Sequence, residues 1–364
     1  MYKIKQIPED FIVKETIKLS LDEKGRYSYF NLIKKNLTTL QAVEVIAERL
    51  NKRMKDIGFA GNKDKRAITE QAISILNLNQ NKIDRLINLK GIKIEFIGRG
   101  NEPISLGDLK GNAFEIIVRN LNKNAKIKRL RRFPNYFGEQ RFSKNNAQVG
   151  REIVKRDFKD VVDSILKNKG YHEKILKGHL DKNENDYIGA LRRINKKILM
   201  LYIHAYQGYL FNSAIDLYVK NNPSIDGWFL STPEYHCYNN IGLNHYSKGQ
   251  WYSQCLKNRI SKNVKIPIVG FGLEIDQIKG VKLKNIIKRM LIKEKISPRD
   301  FVIREIPEIS SEGDERDLFA EIKDLKIGKL KRDELNKGRY QIKIQFRLKK
   351  GSYATVAVKE LVGI

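Results

Sequence analysis

The residues best suited to chemistry lie together in Gly61-Asn62-Lys63-Asp64-Lys65-Arg66-Ala67-Ile68-Thr69-Glu70-Gln71. One carboxylate, Asp64, stands among the cations Lys63, Lys65 and Arg66, and positive neighbours favour the charged form of a carboxylate. An ionised carboxylate in a cationic loop suits attack on an electrophilic carbon of a substrate held by its phosphates. Gly61 opens the stretch and reads as a tight turn that a side chain would obstruct. The runs Ile57–Ala60 and Ala72–Leu76 flank it, each of a length that fits a buried strand. A charged surface hairpin is the plainer reading of the same residues.

A second cluster follows. Lys123 to Lys144 carries Lys123, Lys126, Lys128, Arg129, Arg131, Arg132, Arg141 and Lys144 against one acid, Glu139. Embedded in it is Asn135-Tyr136-Phe137-Gly138-Glu139-Gln140-Arg141-Phe142. Aromatics interleaved with cations can stack an unpaired base while holding its backbone. The competing reading places Tyr136, Phe137 and Phe142 in the core.

Composition points the same way. The 364 residues hold 71 Lys and Arg against 42 Asp and Glu, a net charge of +29, which calls for a polyanionic partner. A membrane surface is the other polyanion, but no apolar run approaches the ~18–20 residues of a spanning helix. The first residues, Met1-Tyr2-Lys3-Ile4-Lys5, do not read as a signal peptide. Two cysteines, Cys237 and Cys255, suit a reducing cytoplasm rather than a disulfide framework.

The elements that must position these residues read as a mixed α+β layer. Strands are expected at Phe11–Glu15, Tyr27–Ile33, Ile92–Ile97 and Asn112–Arg119, with a short helix at Lys82–Leu89. Thr38 and Gln41 have capping-box spacing ahead of a helix that buries Leu40, Val43, Ile46, Ala47 and Leu50. Strands and helices in this irregular order suggest a sheet with helices on one side. From about residue 148 the pattern turns to long amphipathic helices. Leu199–Tyr218 carries a stripe of aromatics read as core, and Leu283, Ile286, Ile287, Met290 and Leu291 mark a second apolar face. Asp226–Gln254 reads as irregular chain with short strands, and 309–317 as a polar turn. Gln341–Leu348 alternates as a half-buried strand, and Tyr353–Leu361 fits strand or helix.

The two motifs, taken with Lys5 and Pro8-Glu9-Asp10-Phe11, Leu109-Lys110-Gly111-Asn112-Ala113-Phe114, Gly351-Ser352-Tyr353-Ala354-Thr355 and Lys359-Glu360-Leu361, resemble the TruD family of tRNA pseudouridine synthases, in an archaeal-type member. The matches run in order along almost the whole chain. His204-Ala205-Tyr206-Gln207 and Leu210-Phe211-Asn212 also resemble that family's insertion. The resemblance implies a pseudouridine-synthase-like core with a mixed or antiparallel sheet, built from residues 1–147 and 309–364. A mainly helical α+β insertion would occupy 148–308. It implies a cytoplasmic isomerase acting on a tRNA uridine, expected at position 13 of the D arm, with no cofactor and no obligatory protein partner. Asp64 matches the catalytic aspartate, which attacks the nucleoside at the sugar or by proton abstraction. Lys5 matches its ion-pair partner, Asn135 the amide that holds it, and Phe137 the aromatic that stacks on the base. Phe11, Lys63, Arg141 and Tyr353 are the further residues expected at the substrate.

No phosphate-cradling glycine loop, dinucleotide fingerprint or local nucleophile signature is present. His236, Cys237, His245 and Cys255 lie close together, but their spacing fits neither a knuckle nor a finger. Two other classes use the same charge. A non-catalytic RNA-binding or chaperone module would need the basic surface and aromatics without Asp64. A metal-dependent nuclease would need a carboxylate cluster that is not evident.

Overall fold

The computed structural model describes residues 1–78, 89–143, 145–167, 171–220 and 264–363. In chain order come β1 (Phe11–Thr16), β2 (Tyr27–Lys35), α1 (Thr39–Leu50), β3 (Ile57–Phe59), β4 (Ile68–Leu76), β5 (Ile92–Gly100) and β6 (Gly111–Leu121). Then follow β7 (Arg132–Pro134), α2 (Asn146–Lys155), α3 (Phe158–Leu166), α4 (Tyr171–Leu180), α5 (Tyr187–Arg192), α6 (Lys196–Lys220), β8 (Lys265–Ile268) and α7 (Val281–Glu294). The last are β9 (Asp314–Asp317), β10 (Phe319–Glu321), β11 (Lys323–Ile327), β12 (Lys331–Arg332), β13 (Tyr340–Lys349) and α8 (Ala354–Val362). The chain forms two compact units, Met1–Arg132 with Glu321–Gly363, and Phe133–Ala320.

The first unit is built on a nine-stranded sheet in the order β11-β13-β6-β1-β4-β2-β5, with β12 on β13 and β3 on β4. β1 and β4 run parallel and the other pairs antiparallel, so the sheet is mixed. Alternation explains its core. Ile342, Ile344, Phe346 and Leu348 of β13 are buried at every second position, as a strand with one face inward requires. On β2 and β4 the inward residues Phe30, Leu32, Ile73 and Ile75 meet Ala42, Val43, Ile46, Ala47 and Leu50 of α1. Thr38 caps α1: its hydroxyl accepts the Gln41 amide, and Gln41 Oε1 accepts the Thr38 amide at 3.0 Å. Leu40 departs from expectation. It stands 51% exposed because the helix turns its buried stripe through Thr39, Ala42 and Val43 instead.

In the second unit α6 packs against α2, α7 and β8. Tyr202 and Tyr206 are buried on α6, and Leu283, Ile286, Ile287, Met290 and Leu291 on α7. Residues 314–317, expected within a polar turn, form β9, antiparallel to β8 with Ile266 opposite Arg316. The expected helix at Lys82–Leu89 lies almost wholly outside the described residues, and the Asp226–Gln254 segment and the His236, Cys237, His245 and Cys255 group wholly so. Among the described residues no helix is long and apolar enough to cross a membrane. None of them form a group of His, Cys, Asp or Glu arranged for a metal ion.

Candidate functional site

Asp64 sits in the loop between β3 and β4, and buried polar side chains hold that loop from below. Thr39 Oγ1 donates to Gln71 Oε1 at 2.9 Å and accepts the Lys63 amide at 2.9 Å. Gln71 Nε2 in turn donates to the Gly61 carbonyl at 3.1 Å. Thr39 and Gln71 are both buried, so these bonds are sheltered from competing water. Lys63 is tied down as well: its ammonium forms a buried ion pair with Glu15 on β1. Lys65 and Arg66 project exposed. The cation that meets the Asp64 carboxylate is Lys5, with Nζ 3.0 Å from Oδ2. At 31% side-chain exposure Asp64 remains open to a substrate.

The turn at Gly61 does not need a glycine. Its φ lies outside the left-handed region, and a Cβ there would meet its nearest atoms at 3.8 Å, an ordinary contact. The constraint falls on Gly58 of β3, where a Cβ would lie 2.3 Å from the Ile104 carbonyl oxygen. Gly61→Ala should therefore change stability by no more than about 1 kcal/mol. Gly58→Ala should cost about 1–3 kcal/mol through overpacking against backbone. Urea midpoints of the two variants test the contrast; equal losses would contradict it.

Lys5 is held by a network more extensive than its own ion pair. It adopts a left-handed φ of 56°, an uncommon conformation for a side-chain-bearing residue. Its ammonium lies 4.1 Å from the centroid of Phe11, a cation–π contact. Phe11 is itself buried edge-on to Phe114 at 6.1 Å, so its ring is a core platform beneath Lys5. Just after Lys5, the Gln6 and Ile7 amides both donate to Asp10 Oδ2, at 3.0 and 3.1 Å. Asp10 Oδ1 accepts Arg119 Nε at 2.7 Å, and Arg119 also donates to Asp333 and Glu334 at 3.0 Å each. Arg119 exchanges backbone hydrogen bonds with Lys3. A buried guanidinium thus fixes the segment that delivers Lys5. Nothing in the composition of these short stretches signals it, because its partners lie more than two hundred residues apart in the chain.

In the second unit Asn135, Phe137 and Arg141 come together. The Asn135 amide donates to the Asp317 carbonyl at 3.1 Å and accepts Arg316 Nη2 at 2.7 Å. Asn212 of α6 brackets the Phe137 backbone, accepting its amide at 2.9 Å and donating to its carbonyl at 3.1 Å. Two guanidinium carbons lie over the Phe137 ring, Arg141 at 4.3 Å and Arg316 at 4.4 Å, with Phe211 edge-on at 5.2 Å. The ring is only 5% exposed. Tyr136 and Phe142 are core residues. Arg316 was not singled out in the sequence. Its signal there is a lone cation in the acidic run Asp314-Glu315-Arg316-Asp317.

Tyr353 precedes α8 as its N-cap residue and is half-buried. In that helix Glu360 is buried, and one of its oxygens accepts no hydrogen bond among the described residues. Burial outweighs the nearby Lys128 and Lys359 and pushes its carboxyl up to about 7. A carboxyl raised in the folded state binds its proton more tightly there than in the unfolded chain. Its contribution to stability is therefore full below the ordinary value near 4.5 and is lost as pH rises through about 7. Glu360→Gln should stabilise the protein at pH 8 by up to about 3 kcal/mol, and the gain should vanish near pH 4. A gain that did not depend on pH would point to packing instead.

The chain is similar to known proteins along nearly its whole length. The family model for tRNA pseudouridine synthase D (TruD) matches residues 2–174 and 165–361. A protein named tRNA pseudouridine synthase D from Aquifex aeolicus is 30% identical over 99% of this chain and 97% of its own length. One named "Probable tRNA pseudouridine synthase D 2" from Methanocaldococcus jannaschii is 32% identical over 98% of this chain and 90% of its own. A solved TruD structure from Methanosarcina mazei superposes with a TM-score of 0.69 at 27% identity, covering 99% of this chain and 93% of that one.

Proposed function

This chain belongs to the TruD family, and we propose on that footing that it converts a uridine of tRNA to pseudouridine with Asp64 as the reacting carboxylate. The reaction breaks the bond between uracil N1 and the ribose C1′ and forms one between C5 and C1′. N1 gains a proton and C5 gives one up, so the sum is redox-neutral and demands no electron acceptor. It needs an anion beside the nucleoside and a grip on the phosphates. The observation that carries the reading is the Lys5–Asp64 pair at 3.0 Å on a loop pinned by Thr39 and Gln71. The ion pair and the pinned loop together hold the carboxylate in one place, half-exposed to a substrate.

Phe137 takes the role its motif implies, a stacking face, and Asn135, through its bonds to Asp317 and Arg316, holds Arg316 over that face. Arg141 and Arg316 lie over that face, and one of them withdraws to admit a base, exchanging a cation–π contact for a stack worth about 1–3 kcal/mol. Lys63 acts on the loop through Glu15, and Phe11 acts through Lys5. Tyr353 remains a candidate for substrate contact. The net charge of +29 supplies the phosphate grip and makes binding steeply salt-dependent. The uridine is the one at position 13 in the D arm. A tRNA transcript with uridine at 13 should acquire one pseudouridine, and the same transcript with cytidine there should acquire none. Pseudouridine at another position in both transcripts would refute the assignment of position 13.

A further inference from the structure

Lys34 is the last inward-facing residue of β2, in line with Phe30 and Leu32, and it is 1% exposed. A buried ammonium is costly unless its hydrogen bonds are made. Its Nζ donates to the Leu37 carbonyl at 2.6 Å and to the Asp64 carbonyl at 3.0 Å. Leu37 precedes Thr38, the cap of α1, so one cation joins the start of that helix to the backbone of Asp64 itself. Methionine or leucine would satisfy the packing of this strand face more cheaply, so a lysine here calls for a purpose.

Resting on the reading of Asp64 given above, we infer that Lys34 is a positioning residue for the reaction, holding the Asp64 peptide so that its carboxylate is presented to the nucleoside. Lys34 touches no reacting atom. It acts from inside the unit, while Lys5 meets the carboxylate directly. Three effects set its charge. Burial lowers its proton affinity most, Asp64 raises it and Lys63 lowers it, which leaves it at about 8. Above that pH the amine loses its charge and one of its three donors, and its hold on the two carbonyls weakens.

The test compares wild type, Lys34→Met and Asp64→Asn in single-turnover release of tritium from tRNA labelled at uridine C5, with tRNA affinity measured alongside. Lys34→Met should slow the reaction by about 10²-fold, the scale of a small misplacement of a reacting group, and leave affinity within about threefold. Wild type should lose rate as pH rises through about 8, and Lys34→Met should show no such limb. A folded Lys34→Met within about threefold of the wild-type rate overturns the inference. If that variant does not fold, a wild-type rate that stays level to about pH 9 overturns it instead. An active Asp64→Asn would instead sink the reading of Asp64, so the two failures are distinct.

Discussion

Asp64→Asn is expected to lower the single-turnover rate of uridine conversion by about 10⁴-fold or more, the scale of losing a reacting group, and to leave tRNA affinity nearly unchanged. The substitution preserves shape and removes only the anion. Lys5 loses its partner across 3.0 Å but keeps its place over Phe11, so the site should stay assembled. Binding energy resides in many lysines and arginines, and deleting one negative charge from a protein of net +29 cannot weaken its attraction for RNA. Nitrocellulose retention of labelled tRNA measures affinity, and tritium release from C5 measures turnover. A variant within tenfold of the wild-type rate would remove Asp64 from the chemistry. Parallel loss of both quantities would make it a binding or folding residue.

Arg119→Met should destabilise the first unit by about 3–5 kcal/mol, the scale of breaking a buried ion pair from one side. The side chains of Asp10 and Asp333 are fully buried against the guanidinium and would be left without its charge. Asp333 shows the pH dependence to expect. Burial pushes its carboxyl up, but the Asn120 amide, other hydrogen bonds and Arg119 outweigh this, so it ends below its ordinary value of 3.8. A depressed carboxyl stabilises the fold above its unfolded-state value, and that contribution is lost as pH falls through the folded one. The gap between variant and wild type should be widest at neutral pH and narrow below about pH 4. Urea unfolding at pH 7 and at about pH 3 measures both. A loss under about 1 kcal/mol at pH 7 would mean the carboxylates find other partners.

What could be read from sequence divides along physical lines. Period-2 alternation in Gln341–Leu348 and the Thr38–Gln41 box are local signals, and both elements formed as expected. The family resemblance and the mixed α+β core were legible because motifs are read along the chain. The cations around Asp64 were not. Proximity in sequence nominated Lys63, Lys65 and Arg66, yet Lys63 turns to Glu15 and the other two stand exposed. In a loop without a regular repeat, side-chain direction is set by distant partners such as Glu15, so neighbours in sequence need not share a face. Lys5 was placed only by resemblance, and the Arg119 network that fixes it joins residues with no local pattern between them. Lys34 did leave a trace: a lysine in phase with Phe30 and Leu32 on the buried side of a strand. Such a residue is either an error of register or a polar group with a task.

The proposed isomerisation of a tRNA uridine depends above all on Asp64. Its most direct test is a chemical map of pseudouridine in total tRNA after incubation with wild type or Asp64→Asn, with RNA chain length followed in the same samples. Wild type should produce new pseudouridine at one D-arm position and the variant none, with RNA intact in both. Bound but unmodified RNA with wild type, RNA cleaved into fragments, or equal modification by both proteins would contradict it.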